Sequence, residues 1–339
     1  MSGPRVMLIV ALTLAGAVGV IACTERAAPE RSQAAPPAEP EPEIGTRVGV
    51  WRQPDGLTQT PIWPGVAPDQ AGIVQPPESI LTKQTPEAID GDTSQAAFDV
   101  SVPTMTVFPP KGRNTGAAIV VFPGGGFKIV ALTIEGTEIC DWITSKGITC
   151  ILSKYRVPGT NHHWDNDCRC AITPEIPRAL QDAQRTIRLV RARATELEID
   201  PEKIGVMGFS AGGYLVAQTS TIFEPTYRPV DASDRASSRP DFAIAFFPGH
   251  ICRRGGTMDP GLHVTARTPP TFLRQAWDDP VDDICNSTLY ARALDAAQVP
   301  SEVHLFAKGG HAFGLRRNES PDTVWPGLVE TWLHGISVL

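Results

Sequence analysis

The segment Gly208-Phe209-Ser210-Ala211-Gly212-Gly213 constrains this chain more than any other. Ahead of it, Ile204-Gly205-Val206-Met207 is a short apolar run suited to a central strand, and Tyr214-Leu215-Val216-Ala217 continues after it with helical composition. A strand that reverses directly into a helix strains the residue at the turn, and a Cβ at Gly208 or Gly212 would run into facing backbone. Ser210 therefore reads as a nucleophile presented on that turn, with the N–H groups and dipole of the helix N-terminus aimed at a developing oxyanion. The G-x-S-x-G spacing also arises by chance as an ordinary glycine-rich turn, and the flanking strand and helix are what separate the two readings.

Elsewhere, apolar runs alternate with amphipathic stretches, the pattern of an α/β domain whose central, mostly parallel sheet is flanked by helices. Strands are expected at 104–108, 117–122, 148–153, 204–207, 242–247, 271–276 and 302–306, and helices at 134–146, 179–197, 210–221, 287–297 and 324–336. No period of about 20 to 50 residues repeats, which disfavours solenoids and propellers.

The first residues carry a positive charge and then an apolar run from Val6 to Ala22, the pattern of an export signal over residues 1–22. It ends in Val20-Ile21-Ala22-Cys23, which is similar to a bacterial lipoprotein signal in which Cys23 becomes the acylated N-terminus. A membrane-spanning anchor is the alternative, since the run is about long enough to cross a bilayer. Residues 23–45 are rich in Pro, Ala and Glu and read as a disordered tether, leaving 46–339 as one catalytic domain. The expected location is outside the cytoplasm, membrane-anchored and facing the periplasm or the cell exterior, with the lipid as the only membrane contact. Net charge is −7 with both signs interspersed, which excludes the basic stripe of a nucleic-acid surface.

With Cys23 set aside, Cys140, Cys150, Cys168, Cys170, Cys252 and Cys285 remain, an even set that favours disulfides in an exported protein without fixing their pairing. His162, His163, Cys168 and Cys170 also read as a cluster of metal ligands, but C-x-C without a second knuckle is poor zinc spacing, so no metal is expected there. Cys168 and Cys170 are assigned instead to a loop pinned by bridges to other parts of the chain.

A serine hydroxyl needs a base, and the base needs a carboxylate to orient it. His311 lies in Lys308-Gly309-Gly310-His311-Ala312-Phe313-Gly314, a glycine-rich loop directly after the last expected strand. Asp279 lies in Trp277-Asp278-Asp279-Pro280-Val281, past the preceding strand, where the following proline favours an extended, presented residue. Asp278 is the reserve choice, and Asp282 and Asp283 rank behind it. The chain order Ser210, Asp279, His311, each just past a strand, is that of one triad. Gly125 and Gly126 of Pro123-Gly124-Gly125-Gly126-Phe127, with the Ala211 N–H, are the expected oxyanion donors. The glycine run lacks the G-x-G-x-x-G spacing of a dinucleotide site.

With these elements the chain resembles the α/β-hydrolase superfamily, and more closely the bacterial acetylxylan-esterase-like and hormone-sensitive-lipase-like carbohydrate esterases. The closer resemblance is carried by Trp63-Pro64-Gly65-Val66-Ala67-Pro68, Pro123-Gly124-Gly125-Gly126, Lys154-Tyr155-Arg156, Asp182-Ala183-Gln184-Arg185, Gly208 to Gly213 and Gly309 to Gly314. It implies the α/β-hydrolase fold and cofactor-free hydrolysis of short-chain esters, of small molecules or carbohydrates, through an acyl-enzyme. The stretches Asn161 to Cys170 and Val281 to Cys285 depart from the pattern. A small polar roof is expected from Val157 to Pro174 and Gly249 to Pro269. A prolyl-oligopeptidase-like peptidase and a catalytically silent binding lipoprotein on the same fold are the competing readings.

Overall fold

A computed structural model describes residues 45–53, 56–84, 93–158, 163–165, 170–172, 177–316 and 319–339. The export signal, Cys23 and the tether up to residue 44 lie outside the described residues. Gly45, read from sequence as the last residue of the tether, is instead the first residue of a strand, Gly45–Val48.

Strands β1 (Gln59–Pro61), β2 (Thr104–Phe108), β3 (Ala118–Phe122), β4 (Thr149–Lys154), β5 (Ile204–Phe209), β6 (Phe242–Phe246), β7 (Thr271–Ala276) and β8 (Ser301–Phe306) form one sheet. Their spatial order is β1-β2-β4-β3-β5-β6-β7-β8. The β2 strand runs antiparallel to both neighbours, and the pairs from β4 across to β8 are parallel. Every residue of β3, β4, β5, β6 and β7 is buried. Runs such as Ala118-Ile119-Val120-Val121-Phe122 are continuously apolar because both faces of a parallel sheet are covered. Only the edge strand β8 alternates exposed and half-buried positions.

Helices α1 (Glu138–Ser145), α2 (Pro177–Ala192), α3 (Ala211–Thr219), α4 (Cys285–Ala296) and α5 (Trp325–Gly335) provide the cover. Among the described residues no helix is long and apolar enough to cross a membrane. The chain passes from β3 outward to β4 and returns to β5 on the other side of β3, so the crevice between the carboxyl ends of β3 and β5 is where such a sheet binds ligands. The glycine run leaves β3 there, and Ser210 leaves β5.

A second, four-stranded antiparallel sheet was not expected from sequence. It consists of Gly45–Val48, Ser79–Gln84, Thr93–Phe98 and Ile129–Val130, in that order. Its last strand begins three residues past Gly126, which ties the glycine loop to the N-terminal segment. A buried ion pair ties the same segment to the main sheet, with Lys154 Nζ donating to both oxygens of Glu78 at 2.7 and 2.8 Å and Trp51 N donating to Glu78 Oε1 at 2.8 Å.

The motif residues scattered between Trp63 and Arg185 meet in one buried cluster. Asp182 accepts from Trp63 Nε1 at 2.7 Å, from Arg156 N at 2.9 Å and from Arg156 Nε at 2.9 Å. Arg185 pairs with Asp234 at 2.9 Å and lies over the Trp63 ring. Next to Arg156, Tyr155 donates its hydroxyl to the Pro123 carbonyl at 2.5 Å, which fixes the start of the glycine loop.

Removing one member of a buried pair leaves the other charged and unpaired, so Glu78→Ala should lower the unfolding free energy by about 3–5 kcal/mol. Replacing both, as Glu78→Leu with Lys154→Met, should cost less than the single change. Urea denaturation of the two variants measures the difference.

Candidate active site

Ser210 sits at φ 50° and ψ −115°, a conformation that L residues adopt only when the surroundings enforce it. Three hydrogen bonds do so: Ser210 N donates to Phe246 O at 3.0 Å, and its carbonyl accepts from Tyr214 N and Gly249 N at 3.1 Å each. A Cβ on Gly208 would fall on the Gly212 carbonyl, and one on Gly212 would fall on the Phe122 carbonyl, well inside contact distance. The glycines are thus required by close backbone approach on both sides of the serine.

The loops after β7 and β8 bring Asp279 and His311 together. His311 Nδ1 lies 2.8 Å from Asp279 Oδ2. A carboxylate can only accept, so Nδ1 carries the proton and Nε2 of the neutral ring is left as an acceptor. Asp279 is itself fixed, its Oδ1 accepting from Val281 N at 2.9 Å and Asp282 N at 3.0 Å. Asp278, the reserve choice, does something else: its Oδ1 accepts from Gly309 N at 2.8 Å and Gly310 N at 2.9 Å and so shapes the loop that carries the imidazole.

The Ser210 hydroxyl has an unexpected partner. Ser210 Oγ donates to Asp282 Oδ2 at 3.1 Å, and the same oxygen lies 3.9 Å from His311 Nε2. A hydroxyl carries one proton, so in this arrangement it is not given to His311. Asp282 was ranked behind Asp278 and Asp279 as the orienting carboxylate, and it does not orient the imidazole at Nδ1; it stands on the opposite, Nε2 side.

A cavity of about 340 Å³ opens on these groups, lined by Gly125, Gly126, Ser210, His250, Asp282 and His311, with an apolar wall of Ile129, Ala131 and Ile134. Gly125 (φ 129°) holds a conformation that needs glycine, Gly126 (φ 61°) one that favours it, and both line the cavity. Ala211 is buried at the first position of α3, where a helix N–H has no intrahelical acceptor. Of the expected roof, Val157 to Pro174 lies largely outside the described residues, and Gly249 to Pro269 contributes His250 to the lining.

Sequence reasoning missed Glu135. It lies in a π-helical turn, Thr133–Thr137, and its Oε2 accepts from Gly124 N at 2.7 Å, so it holds the glycine loop from behind. The signal was present as a lone acid in the apolar stretch from Ile129 to Gly136 that follows the loop.

Three carboxyl groups surround one imidazole. Burial pushes Glu135 up to about 7, against the opposing pull of His311 and the Gly124 N–H. Burial likewise pushes Asp282 up to about 6, with His311 and the Ser210 hydrogen bond opposing and Asp279 adding to the rise. For His311 burial acts downward, but the hydrogen bond to Asp279 and the charges of Asp282, Asp279 and Glu135 outweigh it, and the imidazole is held above its ordinary value.

Disulfides join Cys140 to Cys150 and Cys252 to Cys285. The second links the segment after His250 to the start of α4, three residues past Asp282. His162, Cys168 and the side chains of His163 and Cys170 lie outside the described residues, and so does the pinned-loop assignment. Among the described residues no cluster of three or more His, Cys, Asp or Glu could hold a metal ion.

The family model BD-FAE matches residues 106–236. An acetylxylan esterase of Xylanibacter ruminicola is 30% identical over 235 residues, which cover 62% of this chain and 44% of that protein. An endo-1,4-beta-xylanase B of Butyrivibrio fibrisolvens is 25% identical over 223 residues, 59% of this chain and 33% of that protein. The chain therefore spans less than half the length of these two curated relatives. Among solved structures, an acetyl ester-xyloside bifunctional hydrolase of Caldicellulosiruptor lactoaceticus superposes with a TM-score of 0.64 at 29% identity, covering 83% of this chain and 97% of that one.

Since neighbouring negative charge is what raises the imidazole, removing one charge should lower it. His311 is expected to titrate above the ordinary histidine value of about 6.5, and Asp282→Asn should move it downward. Following the ring protons by NMR across the titration reads both; an unmoved or raised value in Asp282→Asn contradicts the account.

Proposed function

We propose that this chain, similar to α/β-hydrolases of the acetylxylan-esterase and hormone-sensitive-lipase type, is a serine carboxylesterase acting on short-chain esters of carbohydrates through an acyl-enzyme. The observation that carries the reading is the fixed His311–Asp279 pair facing the cavity beside a strained Ser210, opposite a glycine loop.

In this mechanism His311 Nε2 takes the Ser210 proton as Oγ attacks the ester carbonyl carbon, once the hydroxyl has turned away from Asp282. The carbonyl π pair moves onto oxygen, and the N–H groups of Gly125, Gly126 and Ala211 stabilise that oxyanion. Asp279 keeps the ring in the tautomer that accepts at Nε2 and stabilises the imidazolium. On collapse the C–O bond to the alcohol breaks and His311 returns the proton to the leaving oxygen. Water then repeats the sequence on the acyl-enzyme, with His311 again as base, releasing the acid. No metal or cofactor enters these steps.

The apolar wall is short. Ile129, Ala131 and Ile134 suit a small acyl group, while Asp282, which lines the same cavity, suits a hydroxylated alcohol. The apolar acyl surface and the hydrated alcohol side support the carbohydrate reading, as does the acetylxylan esterase among the relatives.

Ser210→Ala and His311→Ala should each remove most turnover of p-nitrophenyl acetate, and Asp279→Asn should lower kcat on the order of 10⁴-fold while leaving the fold intact. Because the three act as a unit, double variants should be little worse than the worst single one. Activity needs neutral His311, and its raised value carries the acid limb of kcat/KM to higher pH than an ordinary histidine gives. A profile flat from about pH 5 to 8 would remove His311 as the base.

Each methylene left outside the acyl wall forfeits about 0.8 kcal/mol. Across an acyl-length series on one alcohol, kcat/KM should peak at acetyl or propionyl and fall by octanoyl. A maximum at eight carbons or longer points to a lipase instead.

A further inference from the structure

Asp282 takes no part in the mechanism above, yet it is in contact with the nucleophile. Its Oδ2 accepts from Ser210 Oγ at 3.1 Å and lies 3.9 Å from His311 Nε2. The residue is 4% exposed and lines the cavity. Its position is set from several sides: its N–H donates to Asp279 Oδ1 at 3.0 Å, and its carbonyl accepts from Gln275 Nε2 at 2.7 Å. Its Oδ1 packs against Gly249, where an added Cβ would stand 2.7 Å away. The Cys252–Cys285 disulfide and the 2.8 Å hydrogen bond from Cys252 N to Asn286 Oδ1 hold the adjoining segments together.

When Ser210 attacks, its proton goes to Nε2, and Asp282 loses the hydrogen bond its carboxylate accepts among the described residues. Nε2 must next give that proton to the leaving alcohol oxygen, which therefore sits within hydrogen-bonding reach of Nε2. Asp282 Oδ2 is on that side, 3.9 Å from Nε2. A buried carboxylate only accepts, so the alcohol that suits it carries a donor at the neighbouring position.

We propose that Asp282 is a specificity-determining residue for the alcohol half of the substrate, accepting a hydrogen bond from a free hydroxyl vicinal to the ester. The substrate class is then a partly acylated sugar or polyol, with an unmodified hydroxyl beside the acylated one. This inference rests on the esterase reading. An ester without that hydroxyl leaves the buried Asp282 oxygen with no hydrogen bond in the transition state, only the imidazolium 3.9 Å away, and sites built to bind a hydroxyl discriminate strongly against analogues that lack it.

The test compares a methyl xyloside monoacetate bearing a free hydroxyl next to the ester with the same compound O-methylated at that hydroxyl. The readout is the ratio of their kcat/KM values. The wild-type protein should prefer the free hydroxyl by roughly 10- to 100-fold, and Asp282→Val should bring the ratio down to about one. Asp282→Asn, close in size and still an acceptor but uncharged, should fall between the two and serves where the valine variant does not fold. A general disturbance lowers both rates and leaves the ratio, so a merely structural role would not move it. A wild-type ratio near one, or an Asp282→Val ratio equal to wild type, overturns the proposal. Ser210-dependent turnover of p-nitrophenyl acetate with no hydroxyl preference removes the Asp282 assignment alone. Absence of any Ser210-dependent ester turnover removes the esterase reading and this inference with it.

Discussion

The contact on which the rest depends is the approach of Gly212, in the first turn of α3, to the Phe122 carbonyl at the end of β3. Only hydrogen fits between them. That approach sets α3 directly behind the crevice between β3 and β5, and it brings the turn carrying Ser210 against the loop carrying Gly125 and Gly126. A methyl group there would force α3 away and part the Ser210 turn from the glycine loop. The strain at Ser210 is the consequence, and the bonds to Phe246, Tyr214 and Gly249 offset it.

The three glycines have no side chains to hold them, so the shape of the run is imposed by its surroundings, the buried Phe127 ring that follows it included. Tyr155 fixes the Pro123 carbonyl, Glu135 takes the Gly124 N–H, and the Ile129–Val130 strand fastens the far end into the second sheet. Burying Glu135 for this purpose places a third carboxyl near the imidazole. In the proposed mechanism, negative charge around His311 would favour the imidazolium formed during attack and disfavour the oxyanion formed with it. Under that proposal the backbone donors at the glycine loop and the α3 terminus act against that field, which gives a physical reason for several N–H groups rather than one.

Much of this was legible in the sequence. The central strands are apolar runs bounded by glycine, proline and polar turns, and all seven expected strands form within two residues of their expected bounds. The Ser210 turn was legible because glycine at 208 and 212 has a steric cause, and so was the meeting of His311 with the acidic segment after β7, because each follows a strand. The second sheet was not, since its strands are short, half-exposed and separated by up to thirty residues, and only pairing makes them strands. Asp278, Asp279, Asp282 and Asp283 could be told apart only in space: four nearby carboxylates of identical chemistry cap a loop, hold a ring, touch the Ser210 hydroxyl, and accept from Cys285 N at the start of α4.

That division of labour follows from the geometry of a tight turn after β7. Successive residues there point in different directions, so one short acidic segment reaches the His311 loop, the Nδ1 side of the ring, the Nε2 side and the next helix in turn. Asp279 binds the backbone N–H of Asp282 while it holds His311, so the orienter and the carboxylate at the nucleophile are parts of one rigid piece. The disulfide from Cys285 to Cys252 then joins that piece to the segment bearing His250, on the other side of the cavity. Residues from the ends of β6, β7 and β8 are thereby held at fixed separations around Ser210, whose own position is set by glycines at β3 and β5. The geometry of the candidate site is in this way a property of where five parallel strands end, and the loops need only be short enough not to lose it.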